Sequence, residues 1–211
     1  MHFRAVLFDW DGTLYNSIDA SFRIYEELFK KYAGLELTCK YFRKTFIVDY
    51  HKYYAMHGIP ENRWDEVDNH WLKRFREMEK EIHLFPGVKE MLAELYGRGI
   101  KIGLVSNGTG GRIKNEMKKN NLAGYFIAVI TDDEMREFKP NPVGLNKALK
   151  IMGVMNSDAL YVGDMYEDVQ AGKNAGTSTA AVTWGAHSLE RLLPAKPDYI
   201  IKNIRELSEI I

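Results

Sequence analysis

The stretch LFDWDGTLYN, residues 7–16, sets an apolar run against two carboxylates one residue apart, Asp9 and Asp11, then adds Gly12 and Thr13. A half-exposed strand alternates apolar and polar residues, whereas a continuous apolar run belongs to a strand covered on both faces. Arg4 to Asp9 is such a run, and four more follow: Ile100 to Ser106, Phe126 to Thr131, Ala159 to Gly163 and Thr177 to Thr183. Helical stretches separate the later ones, at Val88 to Tyr96, Arg112 to Asn120, Pro142 to Met152 and Glu167 to Ala175. This alternation predicts an α/β fold, a doubly wound Rossmann-like parallel sheet. Asn141 before Pro142 reads as an N-cap with proline at the first helical position, and Gly153 and Gly176 as left-handed closures of their helices.

Residues 16 to about 83 contain no buried-strand pattern and read as amphipathic helices rich in Tyr, Phe, Lys and Glu, ended by Phe85-Pro86-Gly87. The expected organisation is a core from residues 1–15 and 84–211 with an inserted helical domain at 16–83. The tail, Tyr199 to Ile211, reads as a short strand and a helix capped by Asn203.

Composition narrows the partners. The 211 residues, 45% hydrophobic, suffice for a sizeable core. Lys plus Arg equals Asp plus Glu at 29 each, which gives no clustered positive charge for nucleic acid or an anionic membrane. The single cysteine, Cys39, excludes an internal disulfide and a cysteine zinc site and fits a reducing compartment. No segment approaches the ~18 apolar residues of a membrane span. The expectation is a cytoplasmic protein, a monomer or homodimer, with no partner indicated by its charge.

In an open parallel sheet the carboxyl ends of the strands line the ligand crevice. Strand one ends in Asp9, with Asp11 and Thr13 beyond; strand two in Ser106-Asn107; Lys139-Pro140 follows strand three; strand four ends in Gly163-Asp164, four residues before Asp168. Each alone has an ordinary explanation: Asp-x-Asp-Gly as a turn, Ser106 as a local cap, Lys139 as a solvated lysine, Asp168 as a helix-start carboxylate. A calcium loop fails, because Leu7 and Ile18 would stand at its first and twelfth positions. Ile113 breaks a dinucleotide fingerprint, and Glu167 stands in place of the first glycine of a P-loop.

Taken together and in order, Asp9-Trp10-Asp11-Gly12-Thr13-Leu14, Val105-Ser106-Asn107, Lys139-Pro140 and Gly163-Asp164 with Asp168 resemble the haloacid dehalogenase (HAD) superfamily of phosphohydrolases, most closely its phosphoglycolate phosphatase-like members. The resemblance implies that the substrate is a small phosphorylated metabolite, that Asp9 is the nucleophile and that Asp11 is the acid and base. It implies that Lys139 is a catalytic and phosphate-binding cation, with Ser106 and Asn107 also holding the phosphate. It also implies Mg²⁺ held by Asp9, Asp11 through its backbone carbonyl, and Asp164, with Asp168 and Thr13 in supporting positions and the insert acting as a cap. An acid at Asp11 argues against dehalogenation, because halide leaves without a proton. A phosphomutase of the same superfamily remains the alternative, and a non-catalytic HAD-like binding protein a more distant one.

Three residues or segments depart from the family pattern: bulky Trp10, Met165 in place of a small hydroxyl residue, and the loop Gly108 to Gly111. In the insert, Arg43 to Lys52 mixes basic and aromatic side chains; Phe46 and Tyr50, at i and i+4, are expected in its core.

Overall fold

The computed structural model describes residues 3–135 and 137–211; residues 1, 2 and 136, which the expected core includes, lie outside the described residues. The chain divides into two compact units, one reaching to Tyr15 and resuming at Leu84, the other running Asn16–His83.

The first unit is a six-stranded sheet, β1 (Ala5–Phe8), β2 (Lys101–Val105), β3 (Phe126–Ile130), β4 (Ala159–Gly163), β5 (Ser178–Val182) and β6 (Tyr199–Ile201), in the order β3-β2-β1-β4-β5-β6. Every pairing is parallel. The order reverses beside β1, whose partners are β2 on one side and β4 on the other, so the crevice beyond these three strands is the topological switch point. All four residues of β1 are fully buried, which explains why its sequence does not alternate. One core layer gathers Leu7, Val105, Leu145, Leu149, Met152 and Tyr161.

The helices of this unit are α5 (Val88–Gly97), α6 (Gly110–Lys119), α7 (Val143–Met152), α8 (Tyr166–Ala175) and the short α9 (Leu189–Leu192) and α10 (Leu207–Ile210). Gly153 and Gly176 close α7 and α8 in the left-handed conformation. The start of α7 differs from expectation: Pro142 is the capping residue, and Asn141 Oδ1 accepts the Val143 N–H from outside the helix. The tail is also more broken than expected, because Asn203 caps a 3₁₀ turn, Ile204–Glu206, that precedes α10.

The second unit is helical throughout its regular elements: α1 (Ile18–Ala33), α2 (Cys39–Thr45), α3 (Tyr50–Met56) and α4 (Trp64–Met78). Asn16 N–H donates to the His83 carbonyl at 2.8 Å, joining its two ends. Its core is aromatic, with Tyr25 packed against Phe29, Phe42, Phe46, Tyr53 and Tyr54. Phe46 belongs to that cluster, but Tyr50 is 47% exposed. Phe46 caps the end of α2 and Tyr50 begins α3, so the two do not share the helix face that i, i+4 spacing implies. No helix among the described residues is long and apolar enough to cross a membrane.

Candidate active site

Asp9 leaves β1 at its carboxyl end, and Asp164 leaves β4 beside it, because the register sets Phe8 against Val162. Carboxylate oxygens of Asp9, Asp164 and Asp168 lie within 4.8 Å of one another, all three side chains buried. Lys139 reaches into this group: its Nζ is 2.6 Å from Asp9 Oδ1 and 2.6 Å from Asp168 Oδ1. It also donates to the Tyr161 hydroxyl at 3.1 Å. Tyr161 in turn lies 3.0 Å from the Val105 carbonyl, so one hydroxyl on β4 ties the lysine to the end of β2.

Asp168 sits in the first turn of α8. Its Oδ2 accepts the backbone N–H groups of Asp164 and Met165, at 3.2 and 2.9 Å, satisfying donors that a helix start leaves without carbonyl partners. Its other oxygen faces Lys139, so the carboxylate that caps the helix also aims the lysine. Gly163 is required for this packing: a Cβ there would stand 2.3 Å from Asp168 Cβ.

Asp164 has a separate cradle. Thr13 Oγ1 donates to its Oδ1 at 3.1 Å, and the Ala186 N–H donates to its Oδ2 at 2.6 Å. Gly185 presses so closely that an added Cβ would lie 2.2 Å from Asp164 Cβ. Gly185→Ala is therefore expected to displace the carboxylate and lower kcat about 100-fold, the scale of a misplacement near 1 Å. Steady-state kinetics with a thermal melt checks this; full activity in the variant would show that Asp164 placement is not critical.

Ser106 and Asn107 follow β2. Ser106 is buried and its Oγ accepts the Gly108 N–H at 3.2 Å. Asn107 Oδ1 accepts the Lys139 backbone N–H at 3.1 Å, while its Nδ2 is buried with no hydrogen-bond partner. A buried amide donor without an acceptor is unfavourable unless a ligand supplies one.

Asp11 stands apart from the carboxylate cluster. Arg112 on α6 grips both its oxygens, Nη1 to Oδ1 at 3.0 Å and Nη2 to Oδ2 at 2.5 Å. Trp10 is fully buried, stacked on Tyr15 and donating its indole N–H at 2.7 Å to Glu116, on the same helix as Arg112.

The electrostatics show a deficit of positive charge. Burial pushes the Asp9 carboxyl up from 3.8 to about 7; Lys139 pulls it down, and Asp168 and Asp11 push it up. Burial likewise holds Asp164 well above the usual carboxylate range, with Asp168 and Asp9 adding to it. Burial pulls the Lys139 ammonium down, but Asp168 and Asp9 more than offset that and raise it. Three buried carboxylates thus share one ammonium. An all-oxygen, over-negative cluster fits a hard divalent cation, which would remove the repulsion that raises these carboxyls.

Sequence reasoning missed Tyr161, the Gly185-Ala186 turn, Arg112 and Glu116. A tyrosine inside a strand buried on both faces needs a partner for its hydroxyl. The Gly185-Ala186 turn lies beyond the carboxyl end of β5, where the strand-end rule also points. Arg112 and Glu116 stand at i and i+4 on an expected helix.

Comparison with known proteins identifies the family and the fold. A family described as haloacid dehalogenase-like hydrolase matches residues 6–182. Pyrophosphatase PpaX of Bacillus velezensis is 30% identical over 214 residues, covering 98% of this chain and 95% of that protein. Phosphoglycolate phosphatase of Vibrio parahaemolyticus is 36% identical over 129 residues, 61% of this chain and 57% of that protein. The crystal structure of a hydrolase from Pseudomonas syringae covers 98% of each chain with a TM-score of 0.81 at 19% identity, a likeness of fold.

Proposed function

The chain belongs to the haloacid dehalogenase-like hydrolase family, and on that footing we propose that it is a magnesium-dependent phosphatase that hydrolyses a small phosphate monoester through an aspartyl-phosphate. The observation that carries this reading is the buried cluster of Asp9, Lys139, Asp164 and Asp168 at the carboxyl ends of adjacent strands.

Asp9 attacks phosphorus, forming the acyl phosphate as the P–O bond to the leaving group breaks. Asp11 gives a proton to the departing alkoxide and then takes one from the water that hydrolyses the intermediate. A carboxylate approaching a phosphate meets like charge, a repulsion of about 4 kcal/mol for one unit pair at ~4 Å and an effective dielectric of about 20. Lys139 offsets part of this at Asp9 itself. Asn107 Nδ2 and the Ser106 hydroxyl donate to phosphoryl oxygens, where developing charge is greatest. Asp9, Asp164 and the Asp11 backbone carbonyl are the residues that would hold magnesium, while Asp168 is committed to Lys139 and the start of α8. When bound, magnesium would supply the positive charge that the cluster lacks. The helical insert is read as the cap of the family resemblance and as the source of leaving-group specificity.

Magnesium at about 100 times its Kd is expected to stabilise the protein by about 2.7 kcal/mol, and Asp164→Asn to remove that response. Melting temperature with and without the ion reads this independently of turnover; an unchanged response in Asp164→Asn would place the ion elsewhere.

The function itself is tested by release of inorganic phosphate with magnesium from a panel of phosphoglycolate, pyrophosphate, sugar phosphates, nucleotides and p-nitrophenyl phosphate. The names of the relatives put the first two at its head. Hydrolysis of one or more monoesters, silenced by chelation, is expected. Conversion of a sugar phosphate without phosphate release would move the assignment to a phosphomutase, and silence on every ester would leave a binding role.

A further inference from the structure

The expected loop from Gly108 to Gly111 is shorter than that, because Gly110 and Gly111 open α6; Gly108 before it and the bulky Trp10 lead to one network. Arg112 lies on α6 facing the residue after Trp10. Its two terminal nitrogens meet the two oxygens of Asp11 at 3.0 and 2.5 Å, a paired arrangement that fixes the plane of a carboxylate as well as its position. Arg112 is itself held one turn further along the helix, where Nη1 lies 3.2 and 3.1 Å from the two oxygens of Glu116. Glu116 is 1% exposed and receives the Trp10 indole N–H at 2.7 Å. Trp10 and Asp11 are adjacent in the chain, so the network closes on itself: indole to glutamate, glutamate to guanidinium, guanidinium to aspartate.

A glycine makes room for it. A Cβ on Gly108 would lie 2.6 Å from Arg112 Nη2 and 3.1 Å from Asp11 Oδ2, inside the space the bridge occupies. An ordinary surface ion pair has no such supports, since its partners are solvated and mobile. Here the Asp11 side chain is 29% exposed, yet its partner is anchored on a buried carboxylate.

We infer that Arg112, braced by Glu116, is a positioning residue that fixes the Asp11 carboxylate for its work on the leaving group and on the attacking water. This rests on the acid and base reading of Asp11 given above. Two lone-pair directions of the carboxylate are taken by the guanidinium, which fixes the plane in which the others lie. An aspartate without that grip samples several rotamers and spends little time in the productive one.

The test separates the two steps of turnover. With p-nitrophenyl phosphate the leaving group departs without a proton, so formation of the acyl phosphate needs Asp9 but not Asp11. Arg112→Ala is expected to keep a fast first release of p-nitrophenol, within about threefold of the parent, while steady-state turnover falls about 10- to 100-fold. On alkyl phosphates both steps slow. Arg112→Lys restores part of the loss, because one ammonium can hold one oxygen but not the plane. A merely structural role would depress first release and turnover together.

Arg112→Ala combined with Asp11→Asn should be no slower than Asp11→Asn alone, since the arginine then has no carboxylate to position. The pair Arg112→Gln with Glu116→Gln removes both charges and avoids leaving Glu116 buried against the indole alone; it should reproduce the Arg112→Ala kinetics. Additive losses in the first combination, or parental turnover in Arg112→Ala, would overturn the inference. If Asp11→Asn itself turns over like the parent, the acid and base reading fails instead, and the two failures are distinguishable.

Discussion

Asp9→Asn is expected to abolish turnover, lowering kcat by roughly four orders of magnitude or more, the scale seen when a nucleophile is removed. An amide nitrogen or oxygen does not attack phosphorus usefully, and no other side chain of the cluster can substitute. Asp164 is held by Thr13 and Ala186, and Asp168 by Lys139 and two backbone amides. The same change removes one charge from a cluster with three carboxylates, so the metal-free variant should melt at or above the parent. Lost activity with retained or raised stability identifies a nucleophile; lost activity with a lower melting temperature would point to a misfolded site.

Lys139→Ala should have the opposite signature, losing both activity and stability. The ammonium is nearly fully buried, and each of its two carboxylate partners lies at 2.6 Å. Breaking a buried pair by removing one partner leaves uncompensated charge and lowers stability by about 3–5 kcal/mol. For a chain of this size that corresponds to a fall of roughly 6–20 °C in Tm. Loss of an electrostatic stabiliser lowers kcat by a further ~100- to 1,000-fold.

The pH dependence has a definite sign. The Asp9 carboxyl is raised by burial from 3.8 to about 7, so the folded protein binds this proton more tightly than the unfolded chain. Its contribution is present below the lower value and is lost as pH rises through the upper one. Lys139 pulls the Asp9 carboxyl down, so removing it pushes Asp9 further in the same direction. The stability gap between Lys139→Ala and the parent should therefore widen from pH 5 to pH 8, and a gap that narrows would contradict this charge arrangement.

Much of this was legible in the sequence, and the reasons are local. Continuous apolar runs identified β1 to β5, because strands covered on both faces have no polar phase to alternate. Their ends shifted by a residue or so, although Arg4, Asp9 and Ser106 still donate backbone N–H groups to the Asp158, Val162 and Ile130 carbonyls. Asp9, Lys139, Asp164 and Asp168 stood at strand ends or just after them, and topology brings those ends together. Tyr161 was hidden because a tyrosine in an apolar run reads as core, and only its neighbours reveal the hydroxyl's partners. Arg112 and Glu116 were hidden differently, as an i, i+4 pair that reads as a solvated helix face until α6 is docked against the end of β1. Tyr50 was misplaced because helix spacing was applied across the break between α2 and α3.

The central claim is a covalent phosphoryl group on Asp9, and Asp11→Asn is the protein in which to look for it. With magnesium and p-nitrophenyl phosphate, the leaving group needs no acid, while hydrolysis of the intermediate lacks its base, so the acyl phosphate should accumulate. Acid quenching and peptide mass spectrometry should then find one phosphoryl group on the peptide containing Asp9, absent when Asp9→Asn is added. Turnover of the ester by the parent with no phosphoryl group on Asp9 in Asp11→Asn, or with one on another residue, would contradict the account.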